Sequence, residues 1–244
     1  MLSYCQLFIV EIGARCNLAS VHKECPSSYR PQNGKPITDE MAIEFFVEAY
    51  KCYNFTGICA FHYHNEPMIK ANRLFHIMKE VKKVVPDSRW MLWTNGTITP
   101  DDEDMSLFNI VNCSNYDNKP DLEAYYKKYS QIVNVFVPAF DQRTADWRNN
   151  PIQLNPCTRV INEVIIDNWG EIHYCCQDWK NELNAGNVWT NGLDEILKRR
   201  TDLMEHICRP MNDSCPDRCL RCNGKSAGCP FVPEIYNKAI EYYK

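Results

Sequence analysis

The sequence predicts an α/β fold: an incomplete parallel (β/α)6-type TIM barrel followed by a small cysteine-rich β-hairpin and helix domain. Three observations carry that prediction. Apolar strand-like runs alternate with amphipathic helical runs from residue 1 to about 140, the rhythm of parallel βα units. About five repeats are visible, short of the eight units and roughly 250 residues of a closed barrel. Near residue 150 the rhythm gives way to a hairpin pattern and bunched cysteines, dividing the chain into 1–150 and 151–244.

The elements follow in order. "LFIVEIG" (7–13) reads as a strand. "ITDEMAIEFFVEAY" reads as a helix capped by Thr38, with Asp39 and Glu40 at its positive end and Met41, Ala42, Phe45, Phe46 and Ala49 on one face. "GICAFHYH" (57–64) is a buried strand, on which His62, His64 and Glu66 face one side. "NRLFHIMKEVKKV" is a helix buried along Leu74, Ile77, Met78 and Val81, and "RWMLWTNG" is a strand ending in a turn. "DDEDMSLF" is a short helix, "FNIVNCS" a strand, "DLEAYYKKYSQ" a helix and "IVNVFVPAF" a strand. Beyond them, "RVINEVIIDNWGEIHYCC" predicts a β-hairpin turning at "DNWG". "TNGLDEILKRRTDLMEHIC" predicts an amphipathic helix, "CPDRCLRCNGKSAGC" a cysteine-rich knuckle, and Pro233 opens a closing helix.

With 45% hydrophobic and 24% charged residues over 244, the composition is that of a globular protein. A net charge of −4 gives no electrostatic case for nucleic acid or an anionic membrane. No secretory leader pattern and no apolar stretch of about 18 residues occur, so a cytoplasmic location is expected.

Fourteen cysteines are unusual for such a chain, and six of them lie between Cys175 and Cys222. Short spacings favour metal or cluster ligation over a disulfide framework. Cys5, Cys52, Cys59 and Cys113 sit in apolar runs and read as small core residues. Cys157 and Cys175 bracket the hairpin as C-x12-G-x4-C, and Cys219 and Cys222 form a C-x2-C pair. By count, four thiolates suit zinc as well as an iron–sulfur cluster. Cys176, Cys208, Cys215 and Cys229 exceed the needs of one site, leaving room for a second.

Taken together, the first strand with "C-N-L", then "FHYHNEPMI", "LWTNGT", the "CCQDW…GNVW…LDEIL" run and the late C-x2-C pair resemble the radical S-adenosylmethionine (SAM) enzymes. The C-terminal half resembles the auxiliary-cluster extension called SPASM or, in shorter form, twitch. Length and hairpin spacing are most similar to the 2-deoxy-scyllo-inosamine dehydrogenase type. The resemblance implies a primary and an auxiliary [4Fe–4S] cluster, SAM as cofactor, a small-molecule substrate, and a reducing electron donor such as flavodoxin or ferredoxin. It implies Cys157, Cys175, Cys219 and Cys222 as auxiliary ligands. It implies Glu66, Thr94 and Asn95 as SAM-binding residues, with Asn65 and His64 where the family usually has glycines.

The family's primary motif is C-x3-C-x2-C. Cys16 takes its first position and Ser20 its second; the third falls on Lys23, or on Cys25 if two residues are inserted. The "CPSSYR" context favours Cys25. Serine is a poor substitute for a soft thiolate. Cys215, Cys219 and Cys222 also read C-x3-C-x2-C but come after the barrel, the wrong place for a primary cluster. His22 is a candidate ligand, and Arg143 and Arg148 are candidate substrate contacts after the fifth strand.

The expected activity is two-electron oxidation of an alcohol carbon on a small polyol or sugar. Epimerisation and peptide modification are alternatives within the family. A radical-SAM-like scaffold without catalysis, its primary site degenerate at Ser20, is the alternative outside it.

Overall fold

A computed structural model of the chain describes residues 2–21, 25–29, 34–138, 149, 151–152, 157–176, 178, 181–183, 185–207, 215–222 and 237. His22, Lys23, Arg143, Arg148, Cys208, Cys229 and the helix expected after Pro233 lie outside the described residues.

Among the described residues, seven strands make one sheet: β1 (Leu7–Val10), β2 (Ile58–Ala60), β3 (Trp90–Thr94), β4 (Ile110–Ser114), β5 (Ile132–Phe136), β6 (Glu163–Ile166) and β7 (Ile172–His173). Their order is β5-β4-β3-β2-β1-β6-β7. All neighbours pair parallel except β6 and β7, the antiparallel hairpin expected around "DNWG". This is an α/β architecture with a mostly parallel, open, barrel-like sheet. One detail departs from a six-unit barrel, which would wind its sixth strand beside the fifth. Here β6 lies on the other side, against β1, with Phe8 opposite Val164 and Ile9 opposite Ile165. Burial explains the placement. Every residue of β6 is buried, whereas β5 alternates exposed and half-buried positions, as an edge strand can.

The main helices are α2 (Asp39–Cys52), α3 (Ala71–Val84), α4 (Leu122–Lys127) and α6 (Val188–Ile207). Thr38 caps α2, its hydroxyl accepting from the Met41 amide. Ala42, Phe45, Phe46 and Ala49 are buried on α2, as are Leu74, Ile77, Met78 and Val81 on α3. Phe46 meets Trp90, Phe61 and Phe8 edge-on at centroid distances of 4.8, 5.4 and 5.9 Å. Such pairs add about 0.5–1.5 kcal/mol each beyond area burial.

Several local details differ from the sequence reading. "DDEDMSLF" forms a 3-10 helix, Glu103–Leu107. The first four residues of the expected hairpin, Arg159–Asn162, coil into a helical turn (α5) before β6 begins. The helix expected to run through "TNGLDEIL" breaks at Gly192, whose φ of 70° no helix accommodates. β2 ends at Ala60, so His62 and His64 follow the strand rather than ride on it. Two further short helices, α1 (Pro26–Tyr29) and α7 (Asp217–Leu220), sit beside cysteines.

Strand alternation gives the sheet two faces. Phe8, Val10, Cys59, Trp90, Leu92, Val111, Val164 and Ile166 belong to the main core with the helices. Ile9, Ala60, Met91 and Ile165 form a separate cluster on the other face, joined by Leu7, Ile58 and Ile110. They sit in register, Ile9 opposite both Ala60 and Ile165, and Ala60 opposite Met91. That second face is the floor of a cavity.

The turn closing β3 depends on Gly96, whose φ is +72° and whose added Cβ would stand 2.6 Å from Cys113 Sγ and 2.8 Å from Leu122 Cδ1. Left-handed strain and a clash in a packed core combine, so Gly96→Ala destabilises the fold by about 2–4 kcal/mol. Urea denaturation measures this, and a loss under half a kilocalorie would contradict the packing described.

Candidate functional site

At the C-terminal ends of β1 to β4 the chain encloses a cavity of about 420 Å³. Leu7 and Ile9 line its floor, Cys16 and Cys25 one wall, and His62, Tyr63, His64, Asn65 and Glu66 another. Trp93, Thr94, Asn95, Ser114 and Tyr116 come from the β3 and β4 ends, and Arg159, Glu163 and Cys176 close the side nearest β6. Loops leaving the C-terminal ends of parallel strands are where such folds gather chemistry.

Glu66 is the buried centre of this wall. Its Oε1 accepts from the Thr94 hydroxyl at 2.7 Å and the Met68 amide at 3.0 Å; its Oε2 accepts from the Asn95 amide at 2.7 Å. Burial pushes its pKa above the ordinary glutamate range, and the hydrogen bonds from Asn95, Thr94 and Met68 oppose that rise. Three donors leave Oε2 with one further acceptor position.

The side chains of Thr94 and Asn95 line the cavity and hydrogen-bond within the protein. Thr94 Oγ1 donates to Glu66 and accepts from the Gly96 amide at 3.2 Å. Asn95 Nδ2 donates to Asn17 Oδ1 at 2.9 Å and to Cys16 Sγ at 3.7 Å, while its Oδ1 accepts from the Thr97 amide at 3.0 Å. The structure thus brings Cys16, Glu66, Thr94 and Asn95 into one connected set, with Asn95 bridging to Cys16.

Cys25 shares the cavity with Cys16 despite the odd spacing, and its Sγ lies 3.1 Å from Ser27 Oγ. Burial is the main cause that raises the Cys16 thiol pKa. Ser20 is exposed and is not part of the cavity wall. The donor set therefore fits an iron–sulfur cluster at two corners, with two soft thiols in one cavity, Cys16 Sγ accepting from Asn95 Nδ2 and Cys25 Sγ within hydrogen-bond distance of Ser27 Oγ. The loop supplies no third thiol.

Sequence reasoning missed Glu11. It is 1% exposed, its Oε1 accepts from the His64 amide at 2.7 Å, and its Oε2 accepts from the Asn168 amide at 3.2 Å. It ties the post-β2 segment to the β6–β7 turn. The signal was present, as a lone carboxylate in the apolar run "LFIVEIG". Also missed was the group Arg159, Glu163 and Cys176. Arg159 Nη1 lies 3.0 Å from Cys176 Sγ and 3.3 Å from Glu163 Oε2.

His62 packs its ring 5.6 Å from Trp93, and His64 stacks on Tyr63 at 3.7 Å. Burial lowers the His62 pKa to about 4, and its Nδ1 has no hydrogen-bond partner among the described residues.

In the C-terminal part, no two described cysteines form a disulfide. Cys175 is pushed well up in pKa by its hydrogen bond with Cys176, by burial and by the nearby Cys157. Cys219 and Cys222 sit at α7, Cys222 N donating to Cys219 O at 3.4 Å. Among the described residues, only Asp167, Glu171 and His173 bring three ligand-type atoms within 4.8 Å of one another. His173 is fully buried with Nε2 3.3 Å from Asp167 Oδ2, a pair that fastens the hairpin.

No helix among the described residues is long and apolar enough to cross a membrane. No protein-family model and no curated protein sequence matches the chain. Solved structures do. The crystal structure of BtrN in complex with AdoMet and 2-DOIA is similar at a TM-score of 0.66 and 16% identity, over 93% of this chain and 96% of that one. Selenomethionine BtrN in an open conformation is similar at a TM-score of 0.64 and 17% identity, over 91% and 94%. At these identities the likeness is one of fold alone.

Two outcomes follow from the site. Thr94→Val keeps shape but removes a buried donor to Glu66 and the acceptor of Gly96 N, so stability falls by about 1–3 kcal/mol in chemical denaturation. An unchanged midpoint would contradict the Glu66 network. The folded pKa of His62 lies below the unfolded value of about 6.5. Its contribution is therefore complete above that pH and is lost as pH falls through about 4. His62→Phe flattens that part of the acid-induced loss, as melting temperatures across the range will show.

Proposed function

We propose that this chain is a radical SAM oxidoreductase that oxidises an alcohol carbon of a small polyol or sugar. One observation carries the reading: Cys16, Cys25, Glu66, Thr94 and Asn95 line one cavity at the C-terminal ends of parallel strands. The sequence resemblance and the fold shared with BtrN, crystallised with AdoMet, support it.

In this reading Cys16 and Cys25 hold two corners of a primary [4Fe–4S] cluster, and Cys157, Cys175, Cys219 and Cys222 hold an auxiliary one within residues 151–244. When bound, the cluster and SAM, with an electron from a flavodoxin- or ferredoxin-like donor, would supply radical chemistry able to take a hydrogen atom from carbon. The protein's part is binding, orientation and shielding. The remaining acceptor position of Glu66 Oε2 suits the SAM amino group, a charge-assisted contact. Thr94 and Asn95 act by holding Glu66 and Cys16. Leu7, Ile9 and Trp93 keep water from the reacting centre. SAM and substrate share about 420 Å³, which favours a small substrate over a peptide. The neutral His62 and the Arg159–Glu163 pair offer polar contacts to hydroxyl or amino groups.

A non-catalytic scaffold is the second reading, favoured by one observation: Ser20, at the usual second ligand position, is exposed and outside the cavity. Anaerobic reconstitution separates the two. About eight irons and matching sulfide per chain, with 5′-deoxyadenosine formed on reduction with SAM, are expected. Cys16→Ala and Cys25→Ala should each abolish the nucleoside. About four irons retained in both variants and no SAM cleavage would establish the scaffold.

A further inference from the structure

The side chain of Asn95 is fully engaged, and its orientation is fixed. The Thr97 backbone N–H can only donate, so the amide atom facing it at 3.0 Å must be Oδ1. The Thr97 hydroxyl adds a second donor to the same oxygen at 2.5 Å and itself accepts from Asn17 Nδ2 at 2.7 Å. Nδ2 is thereby turned to Asn17 Oδ1 at 2.9 Å and to Cys16 Sγ at 3.7 Å. The backbone is held as firmly, the Asn95 amide donating to Glu66 Oε2 at 2.7 Å. Cys25 has a matching arrangement. Its Sγ lies 3.1 Å from Ser27 Oγ, and a metal-bound thiolate can only accept, so the hydroxyl donates.

We infer that Asn95 and Ser27 are positioning residues: they donate hydrogen bonds to the Cys16 and Cys25 sulfurs and raise the reduction potential of the cluster those sulfurs hold. The inference rests on the reading of Cys16 and Cys25 as cluster ligands. A donor at a ligating sulfur stabilises the electron-richer, reduced cluster, and such bonds are a recognised lever on its potential. With two thiols in the loop instead of three, the two donors also hold those ligands in the directions the cluster needs. This differs from a SAM contact by the Asn95 side chain, for which the amide has no bonding capacity left.

The test uses the full chain, reconstituted anaerobically and titrated to its midpoint potential by electron paramagnetic resonance. The primary cluster is identified as the signal that changes when SAM is added. Asn95→Leu, Ser27→Ala and Asn17→Ala should each shift the midpoint to lower potential, and Ser27→Thr should restore the wild-type value. If Asn95→Leu does not fold, Ser27→Ala and Asn17→Ala decide the matter. Variants that hold wild-type iron at an unmoved midpoint overturn the inference while leaving the cluster reading intact. A wild-type chain with no SAM-responsive signal overturns the cluster reading itself, and the inference with it.

Discussion

One buried carboxylate organises the site. Glu66 follows β2, yet two of its three donors come from Thr94 and Asn95 at the end of β3. Burial alone would disfavour an anion there, and its raised pKa shows that desolvation outweighs the donors. An unmet carboxylate in this position would be expensive, so the three bonds fix the geometry of two loops at once. From Asn95 the constraint passes to Asn17 and Cys16, and so to the loop carrying the first thiol. Glu11 does the equivalent on the other side, joining the His64 backbone to the β6–β7 turn.

The sheet makes this possible through register. Odd positions of β1 face the cavity and even ones face the helices, so Leu7 and Ile9 floor the site while Phe8 and Val10 anchor the core. Moving the register by one residue would reverse both sets. The aromatic cluster around Phe46 and Trp90 resists such a slip, because Trp90 is fully buried on the helix side and pairs opposite Cys59.

Periodicity was enough to find α2, α3 and the first five strands: the helices and β1 to β4 bury residues that their spacing declares, and β5 alternates exposed and half-buried positions. It could not place β6. A short apolar strand pairs equally well with either edge of an open sheet, and only tertiary burial chose β1. Short helical turns such as Arg159–Asn162 bury too few residues to show a period. At the site, residue types were legible and their use was not. Thr94 and Asn95 stand where the sequence put them, but which partner takes a hydroxyl or an amide depends on atoms from distant segments. Asn17 and Ser27 carry little local signal, because nothing in a polar loop says which side chain will bridge, and the lone carboxylate of Glu11 in its apolar run does not name its partners.

The cysteines show the same limit and suggest how the loop tolerates its departure from the usual spacing. Ser20 lies in an exposed turn, whereas Cys25, just before the α1 turn, lines the cavity. That turn is closed on the loop by Ser28, whose hydroxyl donates to Ala19 O at 2.7 Å and whose amide donates to Cys25 O at 2.8 Å. A site that presents two thiols from one loop has less coordinate bonding to fix their positions than one with three. Its ordering must come from the surrounding hydrogen bonds, and both sulfurs have a side-chain donor within reach. In the proposed reading, the stiffness that three ligands would lend is distributed through Asn95, Thr97 and Glu66 on one side and through Ser27 and Ser28 on the other.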